Sequence, residues 1–264
     1  MLRDERVLVR PGVRCGCDYA GVAEEVGGKM TKPFRKGYRI AGFIHDAISL
    51  EPKSGSFADY PIAKGHLQIK VPDNLSDEEA ATPGISITTV SPKMPLPMEP
   101  AAERYPILIH SGSTAMGIFG TRSVKLSGSR VITTCSPRNS DYLRSLGAVI
   151  RALTGNAFTV VWDCTGTGAE LCARAQRQPA KGAQTRHHRT PSATSSRGAS
   201  PRLSDEFELT KVFWETSYGL VAGGLIRTVA PVVNKARAGL KDVLVDFEEL
   251  RNGRVSAGML VYAL

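Results

Sequence analysis

The sequence predicts an α/β protein in two unlike parts: a β-rich first part of short strands and a second part in which strands and helices alternate. Three observations lead there. Residues 7–75 carry short β-branched or alternating runs broken by glycine and proline. Apolar runs of strand length at Ile107–His110, Val131–Cys135 and Thr159–Cys164 are separated by helix-length segments, the order that gives parallel pairing with right-handed crossovers. With Gly 26 and Pro 16 among 264 residues, the chain is too rich in turns for a helical bundle.

In order, Val7–Arg10 reads as a strand, and Gly16–Gly27 as a glycine-bracketed run suited to the tight corners of a small barrel. Leu67–Val71 alternates apolar and polar residues until Pro72 stops it. Ser76 and Glu79 form a capping box that opens a short helix into Ala80-Ala81. After Ile107–His110, the small-residue loop Ser111–Gly117 leads into a helix with apolar positions at Ile118, Val124 and Leu126, closed by Gly128. Asp141–Leu146 is a further short helix. Helices return around Leu209–Ala222 and Asp242–Arg251, and Met259–Tyr262 is a final strand.

Between them, residues 173–202 hold no hydrophobic residue except alanine. Such a stretch cannot bury enough apolar surface to offset its ordering entropy and is expected to be disordered. It also holds seven Lys and Arg and no acid, so the remainder of the chain accounts for only +2 of the net +9. The basicity belongs to one segment, and a nucleic-acid binder is not expected. No apolar run is long enough to span a membrane, and Met1–Arg6 lacks the apolar core of a secretory signal. Five cysteines without scaffold spacing suit reduced thiols in the cytoplasm. Cys15 and Cys17 are too close for a structural zinc pair, and His45, His66, His110, His187 and His188 show no ligand spacing, so no metal is expected.

Two strand ends carry the chemistry. Small residues in Ser111–Gly117 let backbone amides approach a pyrophosphate at a helix N-terminus; the alternative is a tight strand–helix connection capped by Ser113 or Thr114. After the next strand come Ser136, Pro137, Arg138 and Asn139, with no acid before Asp141. An acid there would bind the ribose hydroxyl of NAD, so this set favours the 2′-phosphate of NADPH, unless it is a plain turn set by Pro137. Tyr19 is a proton donor, a pocket wall or a packed barrel residue. Thr88 and Thr89 border a cleft or end a local element.

These pieces resemble one family. Gly16-Cys17-Asp18-Tyr19-Ala20-Gly21, Asp73–Ala81, Gly84–Thr89, Pro95-Leu96-Pro97, Ser111–Ala115, Leu126-Ser127-Gly128, Thr134–Asn139, Trp162-Asp163-Cys164, Gly253–Ser256 and Leu260–Tyr262 are similar to strings of zinc-independent medium-chain dehydrogenases/reductases. Within them they look like the fungal trans-acting enoyl reductases of polyketide biosynthesis. The resemblance implies a GroES-like β-barrel over residues 1–92, a linker at 93–104 and an incomplete Rossmann dinucleotide-binding domain at 105–172. The basic segment would then run from 173 to 206, with C-terminal helices and a closing strand returning to the barrel over 207–264. It implies hydride transfer from NADPH to an α,β-unsaturated thioester carried by a partner polyketide synthase. Ser113, Thr114, Ala115 and Met116 would meet the pyrophosphate, and Ser136, Pro137, Arg138 and Asn139 the 2′-phosphate, with Val255 and Ser256 beside the cofactor. Ile87, Thr88, Thr89 and Tyr19 would border the substrate. Where zinc-dependent members carry Gly-His-Glu, Asp18-Tyr19 stands here. The chain departs from the family after Arg10, after Val149 and across 173–202, and carries Tyr38 in place of Asp and His110-Ser111 in place of Tyr-Gly. The alternative reading is an inactive remnant or a non-catalytic synthase-docking protein of the same fold.

Overall fold

The computed structural model of the chain describes residues 11–48, 51–90, 106–146, 149–150, 158, 160–166, 168, 172, 184–187, 203–234 and 239–264. The expected strand at Val7–Arg10 and the linker prolines lie outside these residues. In the β-rich part, β1 (Asp18–Val22), β2 (Arg39–Phe43) and β3 (Gln68–Lys70) form an antiparallel sheet in that order. Tyr19 stands opposite Gly42 and Ala41 opposite Ile69. Two short helices follow, α1 (Asp77–Ala80) and α2 (Gly84–Val90). The capping box at α1 is complete: Glu79 N donates to Ser76 Oγ at 3.2 Å, and Ser76 N donates to Glu79 Oε2 at 3.0 Å.

The second part is a five-stranded parallel sheet. Its strands are β4 (Pro106–His110), β5 (Arg130–Thr133), β6 (Val149–Ile150), β7 (Val160–Asp163) and β8 (Gln184–His187), ordered β6-β5-β4-β7-β8. Helix α3 (Ala115–Leu126) crosses from β4 to β5, and α4 (Ser140–Ser145) leads toward β6. Along β4 the side chains divide by alternation, Ile107 and Ile109 joining the main core and Leu108 a second cluster with Ile132, Phe158 and Val161. Burial on both faces is why this strand is apolar throughout rather than alternating.

Strand β8 lies inside the segment expected to be disordered. It pairs with β7 from Val160–Gln184 to Asp163–His187. A strand edge is held by backbone hydrogen bonds that any non-proline residue can make. The open edge of β7 therefore orders four polar residues that have no apolar signal of their own.

Helix α5 (Leu203–Ala222) begins six residues before the expected start at Leu209, and α6 is Val243–Arg251. The closing strand β10 (Gly258–Val261) pairs in parallel with β9 (Ala230–Val233). It reaches the β-rich part through side chains, with Tyr262 edge-on to Phe57 at 5.9 Å. Pro231, which cannot donate to a ladder, concealed β9 in the sequence. One core joins both parts: Ala41, Phe43 and Ile69 belong to the same cluster as Ile109, Trp162 and Trp214. Helix α2 stands at its centre, packed on β1 and β2 on one side and on α3 and α5 on the other.

Candidate active site

The loops after β4, β5 and β7 leave the carboxyl ends of parallel strands, with β5 and β7 on opposite sides of β4, the kind of position where α/β sheets bind ligands. The β4 loop is fastened to β5: Ser111 N donates to Thr134 Oγ1 at 3.1 Å and Gly112 N to Thr134 O at 2.9 Å. Thr134 Oγ1 also bonds His110 Nδ1 at 2.7 Å. Thr114 caps α3, accepting from Gly117 N at 3.1 Å and donating to Ser111 O at 2.9 Å. The first bond of the helix runs from Ile118 N to Thr114 O at 2.8 Å, so the Ala115 and Met116 amides lie in the first turn, where no helical carbonyl satisfies them. Thr114 fills the capping role, and its amide is also spent within the loop, donating to Ser111 O at 3.1 Å.

Both glycines of this loop are held by close approach. A methyl at Gly112 would collide with Thr133, and one at Gly117 would lie 2.6 Å from Gly112 Cα and 2.7 Å from Ser111 O. Ser111 itself has φ +60, a left-handed conformation that costs a non-glycine residue about 1 kcal/mol or more. Ser111→Gly is therefore expected to stabilise the fold by about 1 kcal/mol, a rise of roughly 2–4 °C in thermal midpoint by circular dichroism. An unchanged midpoint would mean that the loop stores no strain.

At the end of β5, Ser136 and Arg138 are exposed, and Pro137 opens a turn ending at the buried Asn139. Asn139 Nδ2 donates to Ser256 Oγ at 2.8 Å and to Ser136 Oγ at 3.3 Å, and Arg138 Nη2 donates to Gly253 O at 2.9 Å. The fold thus brings Ser136, Arg138, Asn139 and Ser256 together, with Val255 adjoining, across 115 residues of sequence. Asp141, the first acid beyond the strand, is exposed and pairs with Arg144 at 3.0 Å. At the end of β7, the Asp163 carboxylate accepts from the amides of Thr165 at 3.0 Å, Gly166 at 3.1 Å and Gly168 at 2.8 Å. Burial pushes this carboxyl up, but those amides outweigh it and hold it below the usual carboxylate range.

The four residues expected at the substrate do not gather in one place. A cavity of about 1370 Å³ lies on the β-rich side, lined by Asp18, Tyr19, Phe57, Tyr60 and Tyr262 among others. Tyr19 borders it, and its hydroxyl is buried with no hydrogen-bond partner among the described residues. Burial pushes that phenol above its ordinary range. Ile87, Thr88 and Thr89 lie on α2 instead. Ile87 is fully buried in the core, and Thr88 is engaged on both sides, donating to Gly84 O at 3.1 Å and accepting from Trp214 Nε1 at 3.2 Å.

Asp18 and Trp214 were not singled out by the sequence. Asp18 lines the cavity and accepts from Ile85 N at 2.5 Å. Burial pushes its carboxyl up to about 8, against the Ile85 amide that pulls it down and with the Asp46 charge adding to the rise. An unfolded Asp ionises near pH 4, at about 3.9, so between there and pH 8 only the unfolded chain loses this proton. The stability due to this group is present below about pH 4 and falls as pH rises to about 8. Asp18→Asn is expected to flatten that part of the stability–pH curve in urea denaturation, and an unaltered slope would contradict the assignment.

No family model matches the chain. Among curated proteins it is 39% identical over 214 residues to the trans-enoyl reductase TOXD of Cochliobolus carbonum, covering 66% of this chain and 72% of that one. It is 32% identical over 291 aligned positions to the trans-enoyl reductase ACTTS2 of Alternaria alternata, covering 96% and 84%. Among solved structures, an Escherichia coli quinone oxidoreductase complexed with NADPH superposes with TM-score 0.66 at 17% identity, covering 94% of this chain and 82% of that one. The CurK enoyl reductase gives TM-score 0.63 at 14% identity, covering 94% and 78%. The fold is that of the zinc-independent medium-chain dehydrogenases/reductases, a GroES-like part joined to a Rossmann part. Within that class, the chain belongs to the fungal trans-enoyl reductases.

Proposed function

We propose that this chain reduces the α,β-double bond of an unsaturated polyketide thioester with NADPH, acting in trans on a polyketide synthase that carries the thioester. The observation that supports it most is the joint mouth of β4 and β5, with helix amides on one side and Ser136, Arg138, Asn139 and Ser256 on the other. The donor set fits a phosphate-bearing dinucleotide. Gly112 and Gly117 let the loop close tightly at the start of α3, and Asp141, the first acid after β5, is paired with Arg144.

When bound, NADPH supplies a hydride to the β-carbon. The chain's own residues do the rest. The Ala115 and Met116 amides, with Ser113 beside them, hold the diphosphate, and the Arg138 guanidinium and Ser136 hold the 2′-phosphate, Asn139 orienting Ser136 and Ser256 behind them. Val255 and Ser256 close the cofactor end by way of the Ser256–Asn139 bond. Tyr19 and the cavity beside it take the acyl part, while Thr88 and Thr89 set the position of α2 behind it. Five free cysteines fit a cytoplasmic setting, and none of the described helices is long and apolar enough to cross a membrane.

Fluorescence titration with NADPH, using NADH as control, followed by turnover of an enoyl thioester, tests this reading. Arg138→Ala is expected to weaken NADPH about tenfold and NADH by less than about twofold, the difference of one charge-assisted hydrogen-bonded pair. Equal binding of both cofactors would contradict the 2′-phosphate assignment. A folded protein that binds neither would leave the non-catalytic docking reading.

A further inference from the structure

We propose that Asp18 is a positioning residue of the reductase, whose carboxyl acts through the Ile85 amide to fix helix α2 and so sets the substrate cavity against the cofactor half. The inference rests on the reading of the cavity as the acyl site. Three observations carry it. Asp18 both lines that cavity and bonds the first turn of α2, at 2.5 Å from Ile85 N. The fit leaves no slack: a methyl at Gly84 would lie 2.6 Å from Asp18 Oδ1 and would collide with Gly42 O. Helix α2 is the element that touches both halves, packing on β1 and β2 as well as on α3, whose first turn is the proposed diphosphate site. A shift of α2 therefore moves β1, the strand that carries Asp18 and Tyr19 along the cavity, relative to the cofactor half without altering the cofactor loops, which are fastened separately by Thr134.

The groups facing Asp18 are few. Asp46, which accepts from Gly16 N at 3.0 Å, and the Cys17 thiol are the charged or titratable neighbours on the barrel side. Because the Ile85 amide needs only an acceptor, an uncharged isostere can take the place of the carboxyl.

The test uses the full chain, NADPH, and an N-acetylcysteamine thioester of 2-hexenoic acid as probe. Asp18→Ala is expected to lower kcat/KM about tenfold or more, mainly through KM, while NADPH affinity by fluorescence stays within about twofold. Asp18→Asn is expected to restore turnover to within about threefold of the parent. Gly84→Ala, whose methyl meets Gly42 O and Asp18 Oδ1 and so displaces α2 while the Asp18 carboxyl is kept, should reproduce the KM effect, and Ile85 amide exchange should accelerate in Asp18→Ala. Parent-like kinetics in Asp18→Ala, an Asn variant as impaired as the Ala variant, or parent-like kinetics in Gly84→Ala would each overturn the assignment. Should Asp18→Ala fail to fold, the Asn and Gly84→Ala variants decide alone. A parent protein that binds NADPH but reduces no thioester overturns the reductase reading itself, and with it this inference.

Discussion

Gly117→Val is expected to abolish detectable NADPH binding while leaving a folded protein. Gly117 stands where α3 turns back over the β4 loop, and any side chain there meets Gly112 Cα at 2.6 Å and Ser111 O at 2.7 Å. Both obstacles are backbone, so no rotamer change relieves them, and the loop has to open. Opening it separates the Ala115 and Met116 amides from a diphosphate that needs both. Each charge-assisted hydrogen bond is worth about 1.5–3 kcal/mol, so losing two costs about 3–6 kcal/mol, which is roughly a hundredfold or more in affinity. Gly219 supplies the control. It lies within α5 with no atom close enough to meet an added methyl, so Gly219→Ala should leave NADPH binding unchanged and add about 0.5–1 kcal/mol of stability. Fluorescence titration of both variants, with circular dichroism to verify folding, decides the matter. A folded Gly117→Val variant that still binds NADPH would remove the diphosphate from this loop.

Trp214→Ala is expected to be the most damaging single core truncation in the C-terminal part. Trp214 is fully buried, and its indole N–H reaches across 126 residues of sequence to Thr88 Oγ1 at 3.2 Å. Next to it, Glu215 pairs with Lys32, which also donates to Gln68 O at 2.9 Å, so this turn of α5 grips both α2 and the β-rich sheet. Removing a buried Trp costs about 3–5 kcal/mol through lost transfer energy and the cavity left behind. In a chain of this size that is roughly a 10 °C fall in thermal midpoint. Trp214→Phe keeps most of the apolar volume and gives up the donor, so it should cost only about 1–2 kcal/mol. Thermal unfolding of the pair separates packing from the hydrogen bond, and equal losses in the two would mean that the N–H to Thr88, not the volume, is what matters.

Much of the site was legible before any coordinates. The apolar run Ile107–His110, the small loop after it and the missing acid after β5 follow from local chemistry: strand burial on two faces, backbone access at a helix start, and the charge complement of a 2′-phosphate. The capping box at Ser76 is likewise complete within four consecutive residues. Strand β8 was not legible, because its order comes from the edge of β7 and not from its own side chains. Pro231 hid β9 for a related reason, its pairing with β10 being a matter of register between distant segments.

The substrate side shows the same division more sharply. From sequence, Ile87, Thr88, Thr89 and Tyr19 formed one group, yet the fold sets Tyr19 at the cavity, buries Ile87 in the core and commits the Thr88 hydroxyl to Gly84 and Trp214. The sequence by itself determined the family, the alternation of strands and helices, and the loops that follow β4 and β5, since each depends on neighbours within a few residues. Only the tertiary structure decided that Asp18 holds α2, that Trp214 holds Thr88, and that Ser256 meets Asn139. Those bonds link residues 67, 126 and 117 positions apart. No local pattern can announce a partner whose approach depends on how two halves pack around one shared core.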